Sequence, residues 1–127
     1  MSLWRRLSGQ QGERIAADYL QRQGYRIQQQ NYRCRSGEID LIAWDGATLV
    51  FVEVKSKRQS LFGPPQAMVD IRKQRTLTRV AMIYVQQNRL QRVALRFDVV
   101  AVTFSADGGA AVTHVPAAFS AQGDFYY

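Results

Sequence analysis

Gly37-Glu38-Ile39-Asp40-Leu41-Ile42-Ala43-Trp44-Asp45-Gly46-Ala47-Thr48-Leu49-Val50-Phe51-Val52-Glu53-Val54-Lys55 is the stretch on which the fold turns. Residues 39–44 and 49–54 are rich in β-branched and aromatic side chains, and Asp45-Gly46 lies between them. Asp-Gly between two such runs predicts a β-hairpin. Runs this apolar on both faces predict central strands covered on both sides. Yet Glu38, Asp40, Glu53 and Lys55 sit in or beside them. A buried charge is costly unless it is paired or bound to a metal.

Alternation gives these four residues one face. Side chains two apart point the same way, so Glu38, Asp40, Ile42 and Trp44 share a side, as do Leu49, Phe51, Glu53 and Lys55. If Trp44 pairs with Leu49 around a four-residue loop, Ile42 meets Phe51, Asp40 meets Glu53, and Glu38 meets Lys55. A two-residue Asp45-Gly46 loop shifts the pairing by two and keeps the shared face. Directly opposed Cβ atoms lie roughly 4.5–5.5 Å apart. Two carboxylates that close repel unless one takes a proton or a cation sits between them.

Two explanations fit that spacing. Cross-strand ion pairs would join Glu38 to Lys55 and Asp40 to an arginine. Alternatively, Asp40 and Glu53 are oxygen ligands for a divalent cation such as Mg²⁺, with the Val54 carbonyl as a third. A cation there would polarise a phosphoryl oxygen and acidify a bound water. Lys55 would orient the attacking water or stabilise charge on the phosphate, with Glu38 bonded to Lys55 or supporting it from behind. These are the parts for hydrolysing a phosphodiester.

Outward from the hairpin, residues 9–23 read as a helix, with Ile15, Ala16, Tyr19 and Leu20 at helical spacing and Gly24 as the stop. Glu13 lies on a stripe with Ala16, Ala17 and Leu20; it points inward or is a solvated acid of the helix's first turn. Residues 25–34 read as an edge strand. After Lys55 comes a polar loop, then Leu61-Phe62-Gly63-Pro64-Pro65 and a short helical turn over residues 66–69. Asp70 caps a helix over residues 71–88, its apolar positions Ile71, Leu77, Val80, Ala81, Tyr84 and Val85. Arg72, Lys73, Arg75 and Arg79 load its first half with charge that opposes the helix dipole, a hint of a phosphate nearby. Residues 93–104 and 110–115 read as two more strands. The expected architecture is an α/β fold, a mixed central sheet flanked by helices with an αβββαβ core. Residues 9–116 would form one domain, with a flexible tail at 1–8 and another at 117–127, where Phe119, Phe125, Tyr126 and Tyr127 could cover a sheet edge.

The 127 residues carry 17 Lys and Arg against 10 Asp and Glu, a net charge of +7, which favours a polyanionic partner. The single Cys34 excludes an internal disulfide, and the lone His114 is too distant in sequence to make it an obvious nucleophile. No apolar run is long enough for a membrane span and no signal-peptide pattern is visible. The expectation is a cytoplasmic protein.

Residues 37–43 followed by 49–55 resemble the PD-(D/E)XK nuclease superfamily. More closely, the chain is similar to the YraN-like family of predicted endonucleases, relatives of archaeal Holliday-junction resolvases. Gly12-Glu13 with Ala16-Ala17 and Tyr19-Leu20 matches that family's first helix, and Phe62-Gly63-Pro64, Lys73 and Arg96-Phe97-Asp98-Val99-Val100 also fit. The resemblance spans residues 9–115. It implies a restriction-endonuclease-like fold, a Mg²⁺ or Mn²⁺ cofactor on Asp40 and Glu53, Lys55 as the catalytic lysine, and Glu13 joining the site. Gln66 falls where related nucleases place a polar helix residue. Glu38-Ile39 replaces the superfamily's proline before Asp40, a departure the YraN-like family shares. The implied substrate is branched or structured DNA, and resolvase-like enzymes act as symmetric homodimers. Arg33, Arg35, Lys57, Arg58, Arg72, Lys73 and Arg75 flank the acids in sequence and would hold phosphates on either side of the scissile bond. The competing readings are a nucleic-acid-binding adaptor with a nuclease fold and little catalysis, and a basic interaction domain that takes no nucleic acid.

Overall fold

The structure is a computed structural model that describes residues 3–58 and 64–123; the side chains of Trp4, Arg5, Pro65 and Gln66 lie outside that description. A five-stranded sheet runs through the centre. In chain order the elements are α1 (Leu3–Arg22), β1 (Arg26–Cys34), β2 (Gly37–Asp45), β3 (Thr48–Arg58), a 3₁₀ turn (Pro65–Met68), α2 (Ile71–Gln87), β4 (Ala94–Phe104) and β5 (Ala110–Phe119). The strands lie in the order β1-β2-β3-β4-β5. Only β3 and β4 run parallel, joined by the crossover through α2; the other neighbours are antiparallel. This is the expected mixed α/β architecture with a fifth strand added to its core.

The two helices cover opposite faces, which is why the central strands are apolar on both sides. Ala16, Ala17 and Leu20 of α1 pack on Leu41, Val50, Val52, Val100 and Val102. Leu77, Val80, Ala81, Tyr84 and Val85 of α2 pack on Ile39, Ile42, Leu49, Phe51, Phe97 and Val99. The α1 contact row is Ser8, Gly12, Ala16 and Leu20, all buried and mostly small. Gly12 permits that close approach. A Cβ there would stand 1.9 Å from Ser56 Oγ, a hydroxyl already donating to the Ser8 carbonyl at 3.0 Å.

Local chemistry sets the element ends. Gly24, at φ 94°, takes a left-handed turn after α1, and the Tyr25 N–H returns to the Leu20 carbonyl at 2.9 Å. Asp70 caps α2 by accepting from the Lys73 N–H at 2.9 Å. Trp44 does pair with Leu49 and Ile42 with Phe51, but the turn is the two residues Gly46 and Ala47, since Asp45 pairs with Thr48. Gly46 takes the φ of 59° that such a turn demands.

Several boundaries depart from the sequence reading. Residues 3–8 are not a tail but the first turns of α1. They bury Ser8 while leaving Leu3 and Leu7 exposed, so they carry no clear amphipathic signal. Ile71 is 48% exposed rather than on the packed face of α2, because it opens the first turn before the helix settles onto the sheet. The last strand passes Val115 and Pro116 to Phe119, so the C-terminal tail cannot start at 117. Pairing goes from Val99–Val115 to Phe97–Phe119 across a bulge. Ala117, at φ 50°, turns its N–H to Asp98 Oδ1 at 3.0 Å. An edge strand tolerates proline, and a buried carboxylate holds the extra residues. Phe62, Gly63, Phe125, Tyr126 and Tyr127 lie outside the described residues.

Candidate metal centre

The alternation that governs β2 fails at one place. Ile39 packs under α2 whereas Leu41 packs under α1, although residues two apart should share a face. Asp40 sits at the slip. Across from it on β1, Asn31 adopts φ 52°, between the regular pairs Gln30–Leu41 and Tyr32–Ile39. On its other side the β2–β3 ladder ends at Leu41–Val52. The next N–H of β3 that turns toward β2, that of Val54, donates to Asp40 Oδ2 at 2.8 Å. A side chain thus stands where a backbone carbonyl would, and the strands splay around it.

Four acids meet at this gap. Glu13 comes from α1, whose close approach through Gly12 brings it over the end of β2. Carboxylate oxygens of Glu13, Glu38 and Asp40 all lie within 4.8 Å of one another. Asp40 hydrogen-bonds the carboxyl of Glu13 on one side and of Glu53 on the other. Glu53 is 5% exposed, continuing the Leu49–Phe51 face of β3 toward α2. Burial, then the hydrogen bond and charge of Glu53, push Asp40 up to about 9, with the Val54 N–H opposing and Glu13 adding. Crowding of the acids thus favours the protonated form of Asp40. Glu13 is also raised, chiefly by burial and by the charge of Glu38, while the Asn31 amide pulls it back.

Cations line one side of this group. Lys55 Nζ lies 3.8 Å and Lys73 Nζ 3.4 Å from the same Glu53 Oε2. Glu38 does not meet Lys55 as the extended register required. It turns instead to its β1 neighbour Arg33, whose Nε donates to it at 2.7 Å. The splay at Asp40 causes this by carrying the start of β2 away from β3.

The structure therefore gathers Glu13, Glu38, Asp40, Glu53 and Lys55. Val54 presents its N–H to the group, and the Gln66 side chain lies outside the described residues. Of the basic residues, Arg33 and Lys73 are engaged with the acids. Arg35 is exposed on the β1–β2 turn, Arg58 at the end of β3, and Arg72 and Arg75 on α2; Lys57 is half-buried. Sequence reasoning missed two members of the site. Asn31, with its amide nitrogen turned toward the acids, donates to Glu13 Oε2 at 3.0 Å and Glu38 Oε1 at 3.2 Å. An asparagine amid strand-like residues is a faint sign of a left-handed bulge. Lys73 was read as a phosphate contact only; nothing local marks it as a neighbour of Glu53.

A second polar cluster lies on the α1 side, away from these acids. Asp98 is fully buried and accepts from Arg96 Nε at 2.8 Å and from the Ala117 N–H, with His114 Nε2 at 2.7 Å. Those partners hold its carboxyl below the usual range against the upward push of burial. Arg96 also reaches Asp45 at 2.9 Å and the Tyr25 hydroxyl. This network ties β4, β5, the β2–β3 turn and the α1–β1 connection together, and every polar group in it has a partner. Its role is structural.

Residues 12–102, which include Glu13, Asp40, Glu53, Lys55, Lys73 and Asp98, match the profile of the uncharacterised protein family UPF0102. The chain belongs to that family. It is the YraN-like family whose motifs the sequence resembles. A UPF0102 protein of Syntrophus aciditrophicus (strain SB) is 52% identical over 101 residues, covering 80% of each chain. One from Geobacter metallireducens is 43% identical over 119 residues, 94% of this chain and 97% of its own. Another, from Geobacter sulfurreducens, is 42% identical over 114 residues, 90% and 89% of the two chains. Their names state no activity. Among the described residues, no helix is long and apolar enough to cross a membrane.

Proposed function

We propose that this UPF0102 protein is a divalent-metal-dependent endonuclease that hydrolyses phosphodiester bonds in branched or structured DNA. The observation that carries the reading is the convergence of carboxylates on Asp40: oxygens of Glu13, Glu38 and Asp40 all lie within 4.8 Å of one another, with Glu53 against Asp40 from the other strand. A proton there offsets repulsion that a divalent cation would offset better. The donor set is all carboxylate oxygen, which suits Mg²⁺ or Mn²⁺. Asp40 and Glu53 would hold the ion, with Glu13 beside them. When bound, it supplies a polarised phosphoryl oxygen and a more acidic water.

The remaining steps belong to this chain's side chains. Lys55, on the Glu53 side of the group, would steady the attacking water or the charge growing on the phosphate. Asn31, donating to both Glu13 and Glu38, holds the two carboxylates in place. Arg35, Arg58, Arg72 and Arg75 would grip phosphates without reading sequence, so binding should weaken steeply with salt.

A second reading has its own support. Lys55 and Lys73 already neutralise Glu53, and Arg33 neutralises Glu38. A site so well paired could serve a nucleic-acid-binding adaptor with little catalysis. One experiment separates the two. Linear, single-stranded, flapped and four-way DNAs are incubated with the protein under Mg²⁺ or Mn²⁺ titration. The nuclease reading predicts cleavage of a branched substrate that stops in chelator. Salt-sensitive binding without cutting of any substrate leaves the adaptor, and absence of binding removes both.

A further inference from the structure

Two ammonium groups reach one oxygen of Glu53, and the closer one is not the lysine that the motif supplies. Lys73 Nζ stands 3.4 Å from Glu53 Oε2, against 3.8 Å for Lys55. Lys73 arrives from the other side of the crossover, twenty residues after Glu53 in sequence. Its backbone is fixed, since its N–H is the one that Asp70 caps. Its side chain is 43% exposed and Glu53's is 6% exposed, so the ammonium reaches in from the rim to a nearly buried carboxylate. Two positive charges on α2 precede and follow it closely, Arg72 and Arg75, both exposed. The helix start thus places one cation on the acid and leaves the others to solvent.

A divalent cation at that Glu53 oxygen competes with the nearer ammonium, because two cations there repel, and leaves Lys55, farther off at 3.8 Å, beside the site. We propose that Lys73 is a positioning residue of the metal centre: its ammonium occupies Glu53 until a divalent cation displaces it, and so sets the cation concentration at which the site loads. The exchange is one of ion pairs alone; no bond or proton is transferred. The released amine stays tethered to the first turn of α2, beside Arg72 and Arg75, where a DNA phosphate is its natural new partner. This inference rests on the metal-site reading above and adds a residue to it.

Direct titration of the protein with Mn²⁺, without DNA, tests the exchange. The variants are Lys73→Met, which keeps an unbranched apolar stem without the charge, and Lys73→Arg, which keeps the charge. For a half-exposed pair the competition is worth roughly a threefold to fivefold change in affinity. Lys73→Met should therefore bind Mn²⁺ that much more tightly than wild type, with a metal-free melting temperature lower by no more than a few degrees, and Lys73→Arg should stay near wild type. Equal or weaker Mn²⁺ affinity in Lys73→Met overturns the proposal while the metal site stands. Tighter binding in both variants also overturns it, since packing rather than charge would then be the cause. If the wild-type protein binds no Mn²⁺, the metal-site reading itself falls and this inference with it.

Discussion

Replacing Asp40 with asparagine should stabilise the metal-free protein, and the size of the effect follows from the proton that Asp40 carries. The unfolded chain releases that proton near pH 3.8, whereas the folded chain holds it up to about pH 9. Between these values the folded state binds more protons than the unfolded one, so stability falls as pH rises. At pH 7 the deficit is about 4 kcal/mol, taking 1.36 kcal/mol for each pH unit above 3.8. Asparagine has no proton to hold, yet its amide oxygen still accepts from the Val54 N–H and its nitrogen can donate to Glu13 or Glu53. Allowing the neighbouring acids to relax, Asp40→Asn should gain about 2–4 kcal/mol at pH 7, roughly 10 °C in melting temperature. The gain should shrink as pH falls and vanish below about pH 3.8, where both states of the wild type are protonated. Urea unfolding of both proteins in chelator from pH 4 to pH 8 measures this directly. A variant less stable than wild type at pH 7, or a difference that does not change with pH, refutes the crowding of acids around Asp40. Added Mn²⁺ should close the gap by stabilising only the wild type.

Other substitutions separate the parts of the account. Lys55→Met should lower cleavage by about 10²–10⁴-fold in single-turnover assays, with DNA affinity in Ca²⁺ and melting temperature unchanged; a lost fold would instead make Lys55 structural. Gly12→Ala should cost about 1–2 kcal/mol despite the better helix propensity of alanine, because the new methyl drives the Ser56 hydroxyl off the Ser8 carbonyl. The cost should shrink in a Ser56→Ala background, which a double-mutant cycle by urea unfolding reads out. Asp98→Ala should destabilise by about 3–5 kcal/mol, because His114 and the Ala117 N–H lose their acceptor in a buried site and Arg96 keeps only Asp45 and Tyr25; Tm and far-UV circular dichroism check it.

Much of this layout was legible where local chemistry is strong. Alternation and the Asp-Gly signal marked the hairpin, with Trp44–Leu49 as one of two compatible registers, and the Asp70 cap marked the start of α2. Apolar character on both faces of β2 and β3 announced helices above and below. What stayed hidden depends on interruptions of those same rules. Period-two alternation, applied without a break, put Glu38 opposite Lys55; the slip between Ile39 and Leu41 moved it to Arg33. That slip is made by a side chain replacing a backbone acceptor and by a left-handed Asn31 on the neighbouring strand, neither of which changes the hydrophobic pattern. Lys73 meets Glu53 only through the crossover, so no spacing rule reaches it. The extension of β5 past Pro116 relies on Asp98, nineteen residues before Ala117, capturing a backbone N–H. The acids and the lysine of the hairpin were visible as a set, and resemblance added Glu13 from α1, whereas the partners from β1 and α2 required the fold.

Anomalous diffraction from crystals soaked in Mn²⁺ puts the most direct question to the central claim. The account predicts one peak bounded by the carboxylates of Asp40 and Glu53, near Glu13, with Lys73 withdrawn from Glu53. No peak there at saturating Mn²⁺, with both lysines still on the Glu53 carboxylate, would contradict it.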